Sequence, residues 1–276
     1  MSTVQVSKNR LVMESITSRW WFIALIPIIY FFAPPYVQKT GYSLSSLPQY
    51  YEVIGVISEN NFITYFSEYS PILNSLAIFM VMLLFIFRNK FAGFFSIFVG
   101  GLYTFQCIVQ NTSYTEKYGL GIITASYLIF PVLVGLWIWE AIKKKNNFNK
   151  SMKINFWTTI AFLTAFFAFW NPIDSVTKMP DFNPVYIFTN GGSLMFCTMT
   201  PMILAMLFFF YPDINSAVLR ITGLTGATIG LIQLLLHFVI SFEINWWIGV
   251  IHIPVFALSL AAVIVSFKID KIKNTI

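Results

Sequence analysis

Apolar residues in this chain run in long unbroken stretches, neither alternating as in a half-buried strand nor confined to one helical face. Eight stretches stand out, at residues 20–36, 71–87, 91–110, 121–142, 154–170, 193–210, 221–242 and 246–267. A hydrocarbon core about 30 Å thick takes roughly 20 helical residues, and backbone amides inside it must bond within a helix or a closed barrel. Continuous runs favour helices over a barrel. The pattern predicts an all-α, polytopic integral membrane protein with eight transmembrane helices, forming a single membrane domain over residues 1–276.

Loop charge gives this arrangement a direction. If the N-terminus is cytoplasmic, fourteen of the 17 Lys and Arg fall on the inner side, leaving only Lys39, Lys117 and Lys178 outside. Such a bias is the positive-inside rule, and it puts the C-terminus inside as well. The outer segments carry Glu52, Glu59, Glu68, Glu116, Asp174, Asp181 and Glu243, so that face is acidic. The first stretch follows Lys8, Arg10 and Arg19, as a signal peptide would. It is followed by Pro34 and Pro35 with no small-residue cleavage site, so it reads as a retained anchor. Tryptophan favours the headgroup level. Trp20, Trp21, Trp137, Trp139 and Trp157 fall at inner ends, and Trp170, Trp246 and Trp247 at outer ends.

Composition agrees: 57% of residues are hydrophobic and 10% charged, against about 25% charged in soluble domains. The net charge of +6 belongs to topology and to contact with anionic lipid, so nucleic acid is not an expected partner. The expected location is the cell membrane.

The basic run from Lys143 to Lys153 divides the chain into two sets of four stretches, giving candidate repeat halves 18–145 and 151–270. Setting Trp20 against Trp157 also brings Ile23 onto Ile160, Phe32 onto Phe169 and Pro35 onto Pro172. Gln106 and Gln110 share their four-residue spacing with Gln233 and His237, which fits a 4+4 tandem duplication.

The outer loop between the first two stretches carries Tyr42, Tyr50, Tyr51, Tyr65 and Tyr69 and is expected to hold a short surface helix. Cys107 and Cys197 read as small buried apolar residues. Asn111, Thr112 and Ser113 form a glycosylation sequon on the outer side. Glu140, near an inner end beside Lys143 and Lys144, reads as half of an interfacial ion pair.

Polar groups inside a membrane span need internal partners and so point to function. His237 and His252 sit about 7 to 10 Å below the outer surface at 1.5 Å per residue, on stretches joined by a short turn that makes them antiparallel neighbours. Gly223, Gly226, Gly230, Gln233 and His237 recur as one stripe, which allows close helix approach. Gln106, Gln110 and Asn190 lie at similar depth.

These features support a permease-like, transport or solute- or lipid-binding protein. Its polar cavity would lie in the outer half of the bilayer, lined by Gln106, Gln110, Asn190, Gln233, His237 and His252. The site holds no carboxylate, so a small neutral solute or a lipid suits it better than an ion. Two other classes stay open on the sequence: a membrane enzyme or electron carrier holding haem b between His237 and His252, and an accessory subunit whose polar residues only join helices, alone or in a homo- or hetero-oligomer. No Walker A loop, paired-carboxylate site, zinc-protease helix or nucleophile motif is present, so catalysis is the less favoured class. No metal ligand set is expected.

Overall fold

The computed structural model describes residues 12–39, 47–150 and 152–275, so Lys8, Arg10 and Tyr42 lie outside the described residues. In chain order its main elements are α1 (Trp20–Phe32), β1 (Tyr36–Val37), α2 (Leu47–Glu59), α3 (Ser70–Phe87), α4 (Asn89–Asn111), β2 (Thr112–Thr115), β3 (Gly119–Ile122), α5 (Thr124–Lys143), α6 (Phe156–Trp170), α7 (Phe196–Phe208), α8 (Ser216–Leu235) and α9 (Phe242–Thr275). A short helical turn at 12–17 precedes α1. The molecule is a mostly helical membrane protein.

Each apolar stretch holds a helix, but the helices are not equivalent. Five are long and apolar enough to cross a membrane: α3 with the turns before it, α4, α5, α8 with the turn after it, and α9. By contrast α1, α6 and α7 have 13, 15 and 13 residues. At 1.5 Å per residue, 13 residues span only about 20 Å. Pro34 and Pro35 follow α1 closely and cannot continue its amide ladder. Asn155 starts α6 with a reciprocal capping box, and Asn171 ends it in the left-handed conformation. Every residue of α7 is buried, with α6, α8 and α9 packed around it. Its non-helical flanks therefore bond to protein instead of standing in lipid.

One end of the bundle carries an element that the apolar pattern does not predict. β2 and β3 form an antiparallel hairpin between α4 and α5, and β1 adds to β3, giving the order β1-β3-β2. The expected surface helix is α2. It lies against this sheet through Val53, Ile57 and Tyr118, and Glu52 pairs with Lys117 and accepts from the Tyr118 hydroxyl at 3.0 Å. Gly121 is required there, because a Cβ would fall 2.8 Å from Ile57. The acids Glu52, Glu116 and Asp174 lie at this acidic end.

The opposite, basic end gathers the 12–17 turn, the α3–α4 junction, the 144–155 loop and the ends of α8 and α9. Asn147 N donates to Asp213 O and Lys153 N to Phe209 O, both at 2.8 Å. Arg88 and Lys144 take positive φ at the sharp reversals of chain.

Three local expectations need correction. Trp137 is not at a membrane interface: it is fully buried, and its Nε1 donates to Thr222 at 3.1 Å. Glu140 is no interfacial ion pair with Lys143 or Lys144. It is 1% exposed and accepts from Asn146 N and Asn215 Nδ2 at 2.7 and 2.6 Å. The sequon residue Asn111 is buried at the end of α4, where its Nδ2 already donates to Cys107 O, so it is not presented for glycosylation.

Candidate functional site

At the acidic end, the segment from Asn171 to Phe196 is held by side-chain amides. Asn74 on α3 donates to Ile187 O, Phe188 O and Asn190 O, and its Oδ1 accepts from both the amide and the hydroxyl of Ser193 at 2.7 Å. Gln106 on α4 donates to Ser193 O at 2.8 Å, and Gln110 one turn later accepts from Phe196 N at 2.7 Å. Asn190 itself donates to Asn171 O and Ile173 O. A chain segment without helical bonds must find partners for its amides and carbonyls, and these four side chains supply them. Gln106, Gln110 and Asn190 therefore bind the protein's own backbone. Asn74, a lone amide in an otherwise apolar stretch, was the sequence signal for this network.

The remaining three candidates lie on α8 and α9. Close packing of these helices comes from the glycine stripe: a Cβ on Gly223 would approach Ser259 O to 2.7 Å, and one on Gly230 would lie 2.9 Å from Phe256 N and Cα. Beyond Gln233 the helix loosens into a π-helical turn, Leu236–Ile240, which carries His237. After Ser241 the chain reverses into α9, and His252 comes back alongside. The two imidazole rings stack with centroids 5.4 Å apart and planes at 26°. Nδ1 of His252 lies 2.7 Å from Ile248 O in its own helix. Nδ1 of His237 is buried and has no hydrogen-bond partner. Gln233 is half-buried one turn before His237. The six candidates thus form two groups, one tied to the 171–196 segment and one centred on the histidine pair.

A b haem does not fit this pair. Axial imidazoles point at one iron from opposite faces of a macrocycle, whereas these rings face each other. Among the described residues no group of three or more His, Cys, Asp or Glu side chains comes together to add metal ligands. Cys107 and Cys197 are free and buried.

The basic end holds the most heavily bonded charge. Arg220, on the first turn but one of α8, is fully buried. Its Nη2 pairs with Asp270 on α9, its Nε donates to Ser266 at 3.1 Å, and its Nη1 donates to Thr17 at 2.8 Å and Glu14 O at 3.2 Å. Phe267 covers the guanidinium, 4.5 Å from its ring centre. Ser216 donates to the other Asp270 oxygen, and Glu14 pairs with Lys145. The sequence pattern put Arg220 in a loop, because it precedes the apolar stretch by one residue. Its partners lie far along the chain and leave no local signal.

No protein-family model, curated protein or solved structure matches this chain.

Proposed function

We propose that the chain is an eight-span, 4+4 membrane protein with both termini cytoplasmic, and that it binds a small neutral solute at Gln233, His237 and His252, in the outer half of the bilayer, as a permease would. The unpartnered Nδ1 of His237 carries this reading. A buried polar atom without a partner costs roughly 1 to 3 kcal/mol, and π-helical turns concentrate at functional sites. A solute with one donor and one acceptor satisfies that nitrogen and the neighbouring amide of Gln233 without bringing in charge. Gln106, Gln110 and Asn190 serve this site only indirectly, by holding the 171–196 segment in place.

Purified protein in liposomes, offered radiolabelled polyols, amides and zwitterionic amino acids in turn, tests the proposal. Saturable binding or uptake of one class is expected, reduced about tenfold by His237→Ala, the size of one lost hydrogen bond. Wild-type protein that takes none of them, or His237→Ala and His252→Ala variants that bind like wild type, would count against it. The amide network around Asn74, which is spent on the protein's own backbone apart from the unbonded Gln106 Oε1, favours a second reading, in which these polar groups only join helices. Loss of folded protein in His237→Ala, with no solute bound by the wild type, selects that reading.

A further inference from the structure

We propose that a groove at the basic end, between α6, the end of α7 and α9, is a binding site for an anionic glycerophospholipid. The groove has a volume of about 530 Å³, within the roughly 300–1,000 Å³ of small-molecule sites. Its walls are Ile160, Ala161, Phe208, Leu258, Ala261 and Val265. These surfaces suit an acyl chain and offer little to a soluble ligand. Leu163, Leu260 and Ile264, close by on the same helices, are exposed, so this flank of the bundle meets lipid.

The polar residues of the groove sit at the start of α6 and toward the end of α9. Lys268 lines it together with Asn155 and Tyr211. The Lys153 ammonium lies 5.5 Å from the centre of the Tyr211 ring. No hydrogen bond, ion pair or ring contact joins Lys268 to any described residue. Asp270, two residues on, is taken up by Arg220 and Ser216. At the acidic end the three lysines behave differently: Lys117 pairs with Glu52, and Lys39 and Lys178 donate to Glu116 O and Ser175 O. Trp157, 75% exposed beside Asn155, places this mouth at headgroup depth, where tryptophan concentrates. Apolar walls below two exposed ammonium groups at that depth are complementary to a lipid with a net negative phosphate headgroup. The argument holds whichever leaflet the basic end faces and is independent of the histidine pair.

Full-length protein in a neutral detergent, titrated with phosphatidylglycerol or phosphatidylcholine and read by native mass spectrometry, tests the site. Wild type should retain phosphatidylglycerol in preference. One lysine near a charged surface is worth about a fivefold change in affinity, so the Lys153→Ala, Lys268→Ala double variant should lower phosphatidylglycerol retention ~25-fold and leave phosphatidylcholine unchanged. Ala261→Phe, which fills the groove and keeps both lysines, should lower retention of both lipids. The double variant changes only exposed side chains, so the test stands even if Ala261→Phe misfolds. Equal retention of the two lipids by wild type overturns the proposal, as does an undiminished preference in the double variant. A dimer that Ala261→Phe dissociates also overturns it, by giving the groove to a second copy of the chain.

Discussion

Arg220 and His237 lie toward opposite ends of one continuous helical run, and the protein treats them differently. Around the guanidinium, all three nitrogens find acceptors from the 12–17 turn and α9, and Phe267 closes the site. Around the imidazole, the partners are another imidazole and an empty nitrogen. A buried charge left unmatched costs several kcal/mol, so its surroundings must be complete. A neutral ring can keep one free atom at far smaller cost, and that atom is available to a ligand. The basic end is therefore built for assembly, whereas the histidine pair keeps one ring nitrogen unbonded, as the proposed solute site requires.

The largest expected effect tests the assembly side. Arg220→Ala should destabilise the protein by about 3–5 kcal/mol by stranding Asp270, read as lost monodisperse yield and an early thermal transition in detergent. Arg220→Met combined with Asp270→Leu should recover most of that loss, since apolar replacements of buried pairs are often neutral. No recovery would mean that the pair also fixes the position of the 12–17 turn.

Next, Gly230→Ala forces a methyl against the Phe256 backbone, for an expected cost of about 1–3 kcal/mol, together with loss of the histidine stacking. Asn74→Ala should cost about 2 kcal/mol by leaving the Ser193 amide and three carbonyls short of bonds. Hydrogen exchange in 187–196 should rise while α8 and α9 stay protected. His237→Ala should change stability by less than about 1 kcal/mol. A larger loss would erase the contrast between the two ends.

The smallest effect is in pH. Hydrogen bonds from Lys117 and Tyr118 hold the Glu52 carboxyl below its ordinary value of 4.5. A carboxyl whose folded value is depressed stabilises the fold above its unfolded value and loses that contribution as pH falls through the folded one. Docking of α2 on the sheet should therefore loosen below about pH 4.5, seen as faster proteolysis between Leu47 and Glu59. Glu52→Gln should remove this acid sensitivity.

Among the described residues, continuous hydrophobicity located each long apolar helix, and the glycine stripe with the short turn located the pairing of α8 with α9, because these are local signals. The apolar pattern missed the hairpin at 112–122, where strands of four residues are too short to show alternation. Only the β-prone run Thr112–Thr115 and the glycines at 119 and 121 marked it. It also treated every apolar stretch as a full span, since hydropathy does not distinguish a helix shielded by protein, such as α7, from one that meets lipid. Of the six candidate residues, the sequence could give their depth but not their partners, and partners separate Gln106, Gln110 and Asn190 from the histidines.

The shortness of α1 has a consequence for the membrane itself. Leu25, Ile28, Phe31 and Phe32 on this helix are exposed, yet its helical length of about 20 Å falls roughly 10 Å short of a typical hydrocarbon core. A bilayer spanned by α1 alone would have to compress beside it, at fractions of a kcal/mol per Å of mismatch. Such a span would favour thinner bilayers over thicker ones.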